Sequence, residues 1–554
     1  LEKLNEETIL AITDQLGFCT INIYTGNIQI YNSRSFPKLK TANLLPITIT
    51  KNNQFWFVNN NEKGIYLFDF LAQKLFYFNT NHQSTKKNTV LTRAQVVTNK
   101  KGEIWVQPNG GNFSKYDPIK HQLIPFTAPP LSRFGNFTNN FSSSFFDRQG
   151  NLWYSYQTSG LIKVVFSDNN FKTLQINSNP LQSAVKGVRC IRQTKDGNIW
   201  VSTKQKQIVV LDKNLNKIGC LSPSGQWSEN AIWNNAAYSI IEDTQSNVWI
   251  GTRGDGLYKF IPQKKSLTYK IIHFKNDPSN PYSLTNNDIY SVYQDKKNQI
   301  WIGTLDGVNL LTSNASGTTR FISYRNEWKT YPIENFNKIR CIKQSREGLM
   351  YVGTTNGLLT FDPGNVTKNP SGIKSYESTT DVHKGLASND IIDLCITNKK
   401  EIFIATADGG INKVVKKDAL GFPLVFKNYN QQNGLPSENI LSLLEDVDGN
   451  IWVTSDNNLA RFNPTKEFFE VYPEIKWITN GLNFSEATRF SLNSNELLFG
   501  YADGLLHFYP DQIKTNNSAP YLAFTNFKLL NQKNGENNDP NISSSIDNSE
   551  NLIL

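Results

Sequence analysis

Two arginines share the tripeptide Arg-Cys-Ile, at Arg189 and at Arg340. Each lies eleven residues before an aromatic residue at the centre of an apolar segment, Trp200 in one case and Tyr351 in the other. A guanidinium inside such a segment needs a partner, because an unpaired buried charge is costly. The arginines therefore either bond carboxylates and carbonyls of the protein or bind an anionic ligand, and both interpretations stay open.

The loops and turns around these segments are rich in short polar side chains and aromatic rings, which are the partners that sugar hydroxyls need. Asn and Asp are also the residues that tight turns require for backbone reasons, so each turn residue has a structural interpretation as well. The candidate ligand-binding residues are Arg189, Trp233, Asn234, Tyr238, Arg253, Asp255, Tyr290, Asp306, Arg340, Asn356 and Asp408.

Histidine and cysteine offer little further chemistry. The chain has five of each, the cysteines lack CxxC spacing, and the histidines form neither HExxH nor any other paired motif. Convergent acid and base groups cannot be assembled from them. We therefore predict no catalytic residues, no metal and no cofactor, and hence no enzyme activity in this chain.

Composition indicates packed cores, with 38% hydrophobic, 12% aromatic and 19% charged residues. Lysine and arginine (57) exceed aspartate and glutamate (47), for a net charge of +10. No basic run accompanies this modest excess, so we expect no nucleic-acid contact, whereas an anionic oligosaccharide ligand is compatible with it. No apolar run is long enough to span a membrane, so any membrane anchor would come from segments outside this chain.

Internal repeats dominate the sequence. Stretches such as Asp243–Phe260 and Asp295–Leu311 share a polar turn, an apolar strand centred on an aromatic residue, a Gly-containing turn and a second apolar strand. Eleven such anchors follow each other at intervals of 46 to 52 residues: Leu10, Trp56, Trp105, Trp153, Trp200, Trp249, Trp301, Tyr351, Phe403, Trp452 and Leu498. Four antiparallel strands in about 49 residues predict one β-propeller blade, and we expect the anchors to pack between neighbouring blades.

Several motifs resemble the two-component regulator propeller repeat of hybrid two-component sensors. Ile-Trp-Ile-Gly-Thr at Ile300–Thr304 is followed by Asp306-Gly307, and Gly-Leu-Pro-Ser at Gly434–Ser437 is followed by Ile440. A looser copy of the second motif starts at Gly385. Beyond the last blade, Ala519–Leu530 and Ile546–Leu554 resemble the first strands of the immunoglobulin-like triple-tyrosine domain that follows these propellers.

The resemblance implies a periplasmic sensor region from a Bacteroides-type bacterium, which detects oligosaccharides and regulates polysaccharide-utilisation genes. It further implies a homodimer formed through the immunoglobulin-like domain and a histidine kinase located outside this chain. The alternatives are a propeller-fold lyase or glycosidase and a protein-interaction scaffold, and turnover of an oligosaccharide by the chain would favour the enzyme.

Counting seven anchors back from Leu498 divides the chain into three parts. We predict the last four blades of an N-terminal propeller in residues 1–179, a seven-bladed propeller in residues 180–515, and a truncated immunoglobulin-like domain in residues 516–554. On this division we expect the chain to be a fragment of a longer protein. The last blade lacks an obvious fourth strand, so we expect residues 171–176 to complete it and close the ring.

Overall fold

A computed structural model of the chain describes residues 1–13, 15–50, 52–60, 62–79, 94–108, 113–125, 141–147, 150–156, 160–164, 171–176, 187–263, 268–313, 317–365, 372–381 and 384–514. Within them the chain forms eleven antiparallel sheets, which we number 1 to 11 in the order of their anchors. Every anchor lies in the second strand of its sheet. The predicted all-β propeller fold with four-stranded blades is therefore confirmed.

The four N-terminal sheets use the described residues before position 165. Their strands are Glu2–Lys3, Thr8–Thr13, Gly17–Asn22 and Ile28–Tyr31 in sheet 1; Leu44–Ile49, Gln54–Asn59, Ile65–Asp69 and Lys74–Phe78 in sheet 2; Gln95–Thr98, Ile104–Gln107, Ser114–Asp117 and Gln122–Pro125 in sheet 3; and Phe141–Phe146, Leu152–Tyr156 and Gly160–Val164 in sheet 4.

Sheets 5 to 11 follow the same order of strands. They are Val188–Gln193, Ile199–Thr203, Ile208–Leu211, Lys217–Leu221 and Trp227–Ser228 in sheet 5; Ala237–Glu242, Val248–Thr252, Leu257–Pro262 and Tyr269–Phe274 in sheet 6; Ile289–Gln294, Ile300–Thr304, Gly307–Ser313 and Thr319–Ile322 in sheet 7; Ile339–Gln344, Met350–Thr354, Gly357–Phe361 and Ile373–Tyr376 in sheet 8; Ile391–Ile396, Ile402–Thr406, Ile411–Lys417 and Pro423–Tyr429 in sheet 9; Ile440–Glu445, Ile451–Ser455, Asn458–Asn463 and Phe468–Val471 in sheet 10; and Phe484–Ser491, Leu497–Tyr501 and Gly504–Phe508 in sheet 11. The helices in the described residues are short: the α-helix Ile475–Ile478 and the 3₁₀ turns Pro363–Asn365, Gln431–Asn433 and Pro510–Gln512.

Sheets 5 to 11 form a closed ring. The first strand of each sheet, which we call the inner strand, contacts the inner strand of the next sheet, and the inner strand of sheet 11 contacts that of sheet 5. A hydrogen bond repeats at these junctions: the last side chain of an inner strand accepts the backbone N–H of a turn in the preceding sheet. Gln294 accepts from Thr244 at 3.0 Å, and Gln193 of sheet 5 accepts from Asn493 of sheet 11 at 3.0 Å.

The fourth strand of sheet 11 comes from before sheet 5, as we predicted. Lys172–Gln175 pairs antiparallel with Gly504–Phe508. At Gly256 of sheet 6 an added Cβ would collide with the carbonyl oxygen of Phe274 in the fourth strand of its own sheet. At Gly504 the same collision would occur with the carbonyl oxygen of Leu174. Leu174 thus occupies the place that a local fourth strand takes elsewhere, and we call Lys172–Gln175 the closing strand.

Ten of the eleven anchors lie in hydrophobic cores between neighbouring sheets, as we predicted, whereas Trp153 is only partly buried and belongs to none of the cores of the described residues. Trp301 of sheet 7 packs with Ile339 and Met350 of sheet 8, and Trp452 of sheet 10 packs with Phe499 of sheet 11. Burial of each such indole contributes at least about 1.5–3 kcal/mol.

The aspartate six residues before several anchors accepts the indole N–H of that anchor. Asp243 accepts from Trp249 at 2.8 Å, and Asp295 accepts from Trp301 at 2.9 Å. The same carboxylates also accept backbone N–H groups of their own turns. Each turn aspartate therefore fixes both its turn and the buried indole, and the spacing between the two residues has a structural cause.

Among the described residues, no helix has the length and apolarity that crossing a membrane requires. The predicted immunoglobulin-like segment, residues 516–554, lies outside the described residues. The domain boundaries after residues 179 and 515 stay predictions.

Candidate functional site

Arg189 and Arg340, which lie eleven positions before their anchors, sit on β-bulges of the inner strands, as do the residues at the same position in four other sheets. In sheet 5 the register of pairing shifts between Val188 and Cys190, which leaves Arg189 between two paired residues, and the same shift places Arg340 in sheet 8. A bulge bends its strand and redirects one side chain. The six bulged residues of sheets 5 to 10 are Arg189, Tyr238, Tyr290, Arg340, Ile392 and Leu441.

The ring surrounds a cavity of about 760 Å³, which we call the channel. Residues of all seven inner strands line it, and five of the six bulged residues are among them. The turn after the second strand of a sheet lies against the loop that leads into the next inner strand: Gly256 N–H donates to the carbonyl of Asn287 at 3.0 Å, and Gly410 N–H to that of Glu438 at 2.9 Å. The predicted turn and loop residues therefore share one face of the ring.

Carboxylates hold both predicted arginines at this end of the channel. The Arg340 guanidinium binds Asp390 through two bonds, from Nε to Oδ1 at 3.1 Å and from Nη2 to Oδ2 at 2.9 Å. Its Nη1 donates to Glu486 Oε2 at 3.3 Å, and Nη1 of Arg189 lies 3.7 Å from the same oxygen. Glu486 thus bridges sheet 5 and sheet 8 across the ring. We call Arg189, Arg340, Asp390 and Glu486 the channel mouth.

Two tyrosines extend the channel mouth on one side. The Arg189 guanidinium lies 3.9 Å from the centre of the Tyr238 ring, and this ring meets Tyr290 edge-on with centroids 5.0 Å apart. Arg253, which is exposed, donates from Nη1 to the Tyr238 hydroxyl at 3.1 Å. Burial raises the pKa of Tyr290, although Arg253 and the other nearby guanidinium groups oppose that effect. The result is a cationic and aromatic surface.

Two candidate residues belong to the core instead. Trp233 is only 2% exposed, packs on Phe260, and donates its indole N–H to the Leu221 carbonyl at 2.7 Å. Asp255 is 7% exposed and accepts from the Tyr258 hydroxyl at 2.6 Å, with Lys275 Nζ at 2.7 Å. Neither group is available to a ligand, so their assignment to a binding surface is corrected.

Burial opposes ionisation of Asp255, but the hydrogen bonds from Lys275 and Tyr258 outweigh it and lower the pKa of this carboxyl. The ionised carboxylate therefore holds the turn and the outer strand of sheet 6 together.

The remaining turn candidates make local contacts on the same face. Asp306 accepts from the Tyr324 hydroxyl at 2.8 Å, and Asn356 donates from Nδ2 to the Asn335 carbonyl at 2.7 Å. Asp408 accepts from the Ser388 hydroxyl, and Asn234 is exposed. The structure therefore brings Arg189, Tyr238, Arg253, Tyr290 and Arg340 together and places the other candidates outside that cluster.

Sequence reasoning did not select Glu486 as a site residue. In sheet 11 the register of pairing shifts over the whole stretch from Phe484 to Arg489, so the alignment that found the other bulged residues fails there. Arg192 and Lys343, which also line the channel, were missed as well. Both lie eight residues before an anchor, so the same alignment taken three positions further along would have found them.

The chemistry of this arrangement is recognition of polar and anionic groups. Guanidinium groups pair with carboxylate and sulfate oxygens, and tyrosines offer a ring face and a hydroxyl. Among the residues that the structure describes, no group of three or more His, Cys, Asp or Glu side chains could hold a metal ion.

Four segments, residues 184–205, 231–254, 283–306 and 434–457, match the two component regulator propeller family. The chain contains two-component regulator propeller repeats. The resemblance of Ile300–Thr304 and Gly434–Ser437 to this repeat is confirmed, since both stretches lie inside matched segments. Each matched repeat runs from the loop before an inner strand to the turn after the second strand, so the repeats build the face on which the channel mouth lies.

Histidine kinase P4 of Formosa agariphila is 23% identical to this chain over 386 residues, which are 69% of the chain and 23% of that protein. The chain thus spans about a quarter of the length of this relative. The extracellular domain of a hybrid two-component system protein of B. thetaiotaomicron superposes with a TM-score of 0.56 at 18% identity, covering 92% of this chain and 67% of that one. This similarity shows a shared fold.

Proposed function

We propose that this chain is the ligand-sensing region of a periplasmic hybrid two-component sensor, which detects an oligosaccharide and regulates polysaccharide-utilisation genes. The match of four repeats to the two component regulator propeller family carries the proposal. The kinase that acts on the signal lies outside the chain, as does any membrane anchor. The chain itself binds and transmits but catalyses no reaction.

The channel mouth and its tyrosines are the proposed binding surface. Glu486 and Asp390 keep 41% and 34% of their side chains exposed, so a ligand can reach the ion pairs from solvent. An acidic oligosaccharide would exchange its carboxylate or sulfate for one protein carboxylate, while a sugar face packs on Tyr238 or Tyr290. Such an exchange changes the link that Glu486 makes between sheets 5 and 8. The ring then has two states, one in which Glu486 binds both arginines and one in which a ligand has displaced it, and the ligand stabilises the second state.

The test is calorimetric titration of the purified chain with neutral and acidic oligosaccharides, followed by the Arg340→Ala variant. We expect binding of at least one oligosaccharide and a loss of about tenfold or more in affinity in Arg340→Ala, since one charge-assisted contact disappears. Arg461→Ala is the matched control, because it removes an ion pair of the same kind, with Glu470 on the outer strands of sheet 10.

An Arg340→Ala variant that folds and keeps its full affinity would show that the ligand does not bind at the channel mouth. Turnover of an oligosaccharide by the purified chain would contradict the sensor function and favour an enzyme.

A further inference from the structure

A second ring of side chains lies inside the channel, beyond the channel mouth. Its members stand eight residues before the anchors and pair in register with them, as Arg192 does with Trp200 and Lys343 with Tyr351. All seven line the channel: Arg192, Ile241, Tyr293, Lys343, Cys395, Leu444 and Phe490. We call this set the inner ring.

Five of the seven inner-ring side chains are apolar, aromatic or thiol groups, and two are cations. The Arg192 guanidinium lies 5.5 Å from the centre of the Phe490 ring, and Lys343 Nζ lies 5.9 Å from the centre of the Tyr293 ring. Within the described part of the chain, neither cation pairs with a carboxylate, and Nε of Arg192 is buried without a hydrogen-bond partner. Two cations therefore face a largely apolar ring without an anionic partner.

The acidic side chains lining the channel are already engaged. Asp393 pairs with Arg489 at 2.7 Å and accepts the backbone N–H of Leu443 at 3.0 Å. Glu242 accepts the backbone N–H of Lys195 at 2.6 Å, and Glu445 accepts that of Asn398 at 2.9 Å.

Glu486, the remaining acidic residue of the channel lining, belongs to the channel mouth with its arginines. Bringing any of these carboxylates to the inner-ring cations would break contacts that hold neighbouring sheets together. The described residues therefore leave no free carboxylate for the inner-ring cations, and a bound anion would supply the compensating charge.

The titration behaviour of the two cations agrees with this geometry. Burial lowers the pKa of Arg192. Burial, with a smaller contribution from Arg489, lowers the pKa of Lys343 to about 8. Glu242 favours the charged form of Arg192 and Asp393 that of Lys343, but burial outweighs both carboxylates, so the described residues compensate the positive charge only in part.

We propose that the channel binds a small oxyanion, a sulfate, phosphate or carboxylate group, between Arg192 and Lys343. The two residues belong to sheets 5 and 8, which stand three sheets apart in the ring. Long side chains do meet across this channel, because Arg340 of sheet 8 reaches Glu486 of sheet 11 at 3.3 Å. The anion replaces the missing carboxylate and links two sides of the ring from within. It is either a free ion or the acidic substituent of a larger ligand.

The test measures thermal unfolding of the purified chain in sodium sulfate against sodium chloride of equal ionic strength, and separately in sodium galacturonate. We expect a concentration-dependent rise in Tm with sulfate, with galacturonate, or with both, since a ligand that binds only the folded state stabilises it. A rise in Tm with sulfate alone indicates a free inorganic ion as the ligand, and a rise with galacturonate indicates a sugar carboxylate. Calorimetric titration with the same salts gives the affinity.

Arg192→Met and Lys343→Met should each weaken that affinity about tenfold or more, and the double variant should show no calorimetric binding and only the general rise in Tm that sulfate causes by exclusion from protein surfaces. Both variants lose a partly buried charge that has no carboxylate partner among the described residues, so their Tm without anion should equal or exceed that of the wild type. Lys270→Met, at an exposed position of the outer strand of sheet 6, is the matched control and should respond as the wild type does. A wild type that responds to neither anion, or inner-ring variants that respond fully, would overturn the proposal.

Discussion

The charge on Lys343 lowers the stability of the folded protein. Burial lowers the pKa of Lys343 most, Arg489 and Arg192 lower it further, and Asp393 and Cys341 oppose the change only in part. Its pKa of about 8 lies below the usual 10.5. The folded state therefore resists the charged form, and charge on Lys343 destabilises the fold wherever both states are protonated.

We expect Lys343→Met to raise the free energy of unfolding at pH 7 by about 1–3 kcal/mol in the absence of an anion. Below pH 8 the lysine is charged in both the folded and the unfolded chain, so the full cost is present. Between pH 8 and 10.5 the folded lysine loses its proton first, so wild-type stability rises with pH relative to the variant. Urea unfolding of both proteins at pH 7, 9 and 10 measures the difference, and a difference that stays constant with pH would contradict this account.

Residue identities were predictable where one alignment held. Arg189 and Arg340 stood out because neighbouring repeats carry apolar or aromatic residues at their position, and the structure places both at the channel mouth. Glu486 could not be found in this way, since sheet 11 does not keep the spacing of the other repeats. Trp233 was assigned to the binding surface because it lies in a loop. Its position in the sequence does not show whether the indole side chain packs into the core or faces solvent.

Among the elements, the closing strand decides whether the ring is complete. Lys172–Gln175 covers the edge of Gly504–Phe508, whose backbone groups would otherwise be exposed to solvent. The approach of the two strands at Gly504 leaves no room for a side chain, because a Cβ there would collide with the carbonyl oxygen of Leu174.

We expect Gly504→Val to displace the closing strand and to lower the free energy of unfolding by about 2–4 kcal/mol. Thermal unfolding followed by circular dichroism measures the loss, and hydrogen exchange should accelerate at residues 504–508. Gly372→Val is the matched control, since a Cβ at Gly372 meets no atom within 4 Å. If both variants unfold at the same temperature, the closing strand does not hold the ring.

The number of sheets and their strand type were predictable from the sequence, because each repeat of about 49 residues contains a recognisable polar turn, an apolar strand and an anchor residue. The fourth strand of sheet 11 was predicted only by counting strands. The last repeat lacks a fourth strand of its own, and an apolar stretch before the first repeat of the ring has no other assignment. What the repeats could not reveal is the bulge in each inner strand. Hydrophobic alternation does not record an extra unpaired residue, yet in sheets 5 to 9 that residue lines the channel.

At the scale of the whole molecule, ring closure joins residues that are 300 or more positions apart. The closing strand pairs with Gly504–Phe508, and Gln193 accepts a hydrogen bond from Asn493. Two independent contacts thus tie the first and last sheets of the ring together, one at the outer edge and one at the inner strands. A ring closed in this way should unfold as one cooperative unit, and its stability should depend on the closing strand even though that strand lies outside the repeats.

We therefore expect a fragment of residues 171–514 to fold as a monomer with a single cooperative transition, and a fragment of residues 187–514 to melt lower and to self-associate. The shorter fragment lacks the closing strand, so its exposed edge at Gly504–Phe508 is free to pair with another copy. Differential scanning calorimetry and light scattering measure the two properties. A peptide of residues 171–176 added to the shorter fragment should restore both, because it supplies the missing strand without a covalent link. Equal stability and equal mass of the two fragments would show that the seven inner strands close the ring by themselves.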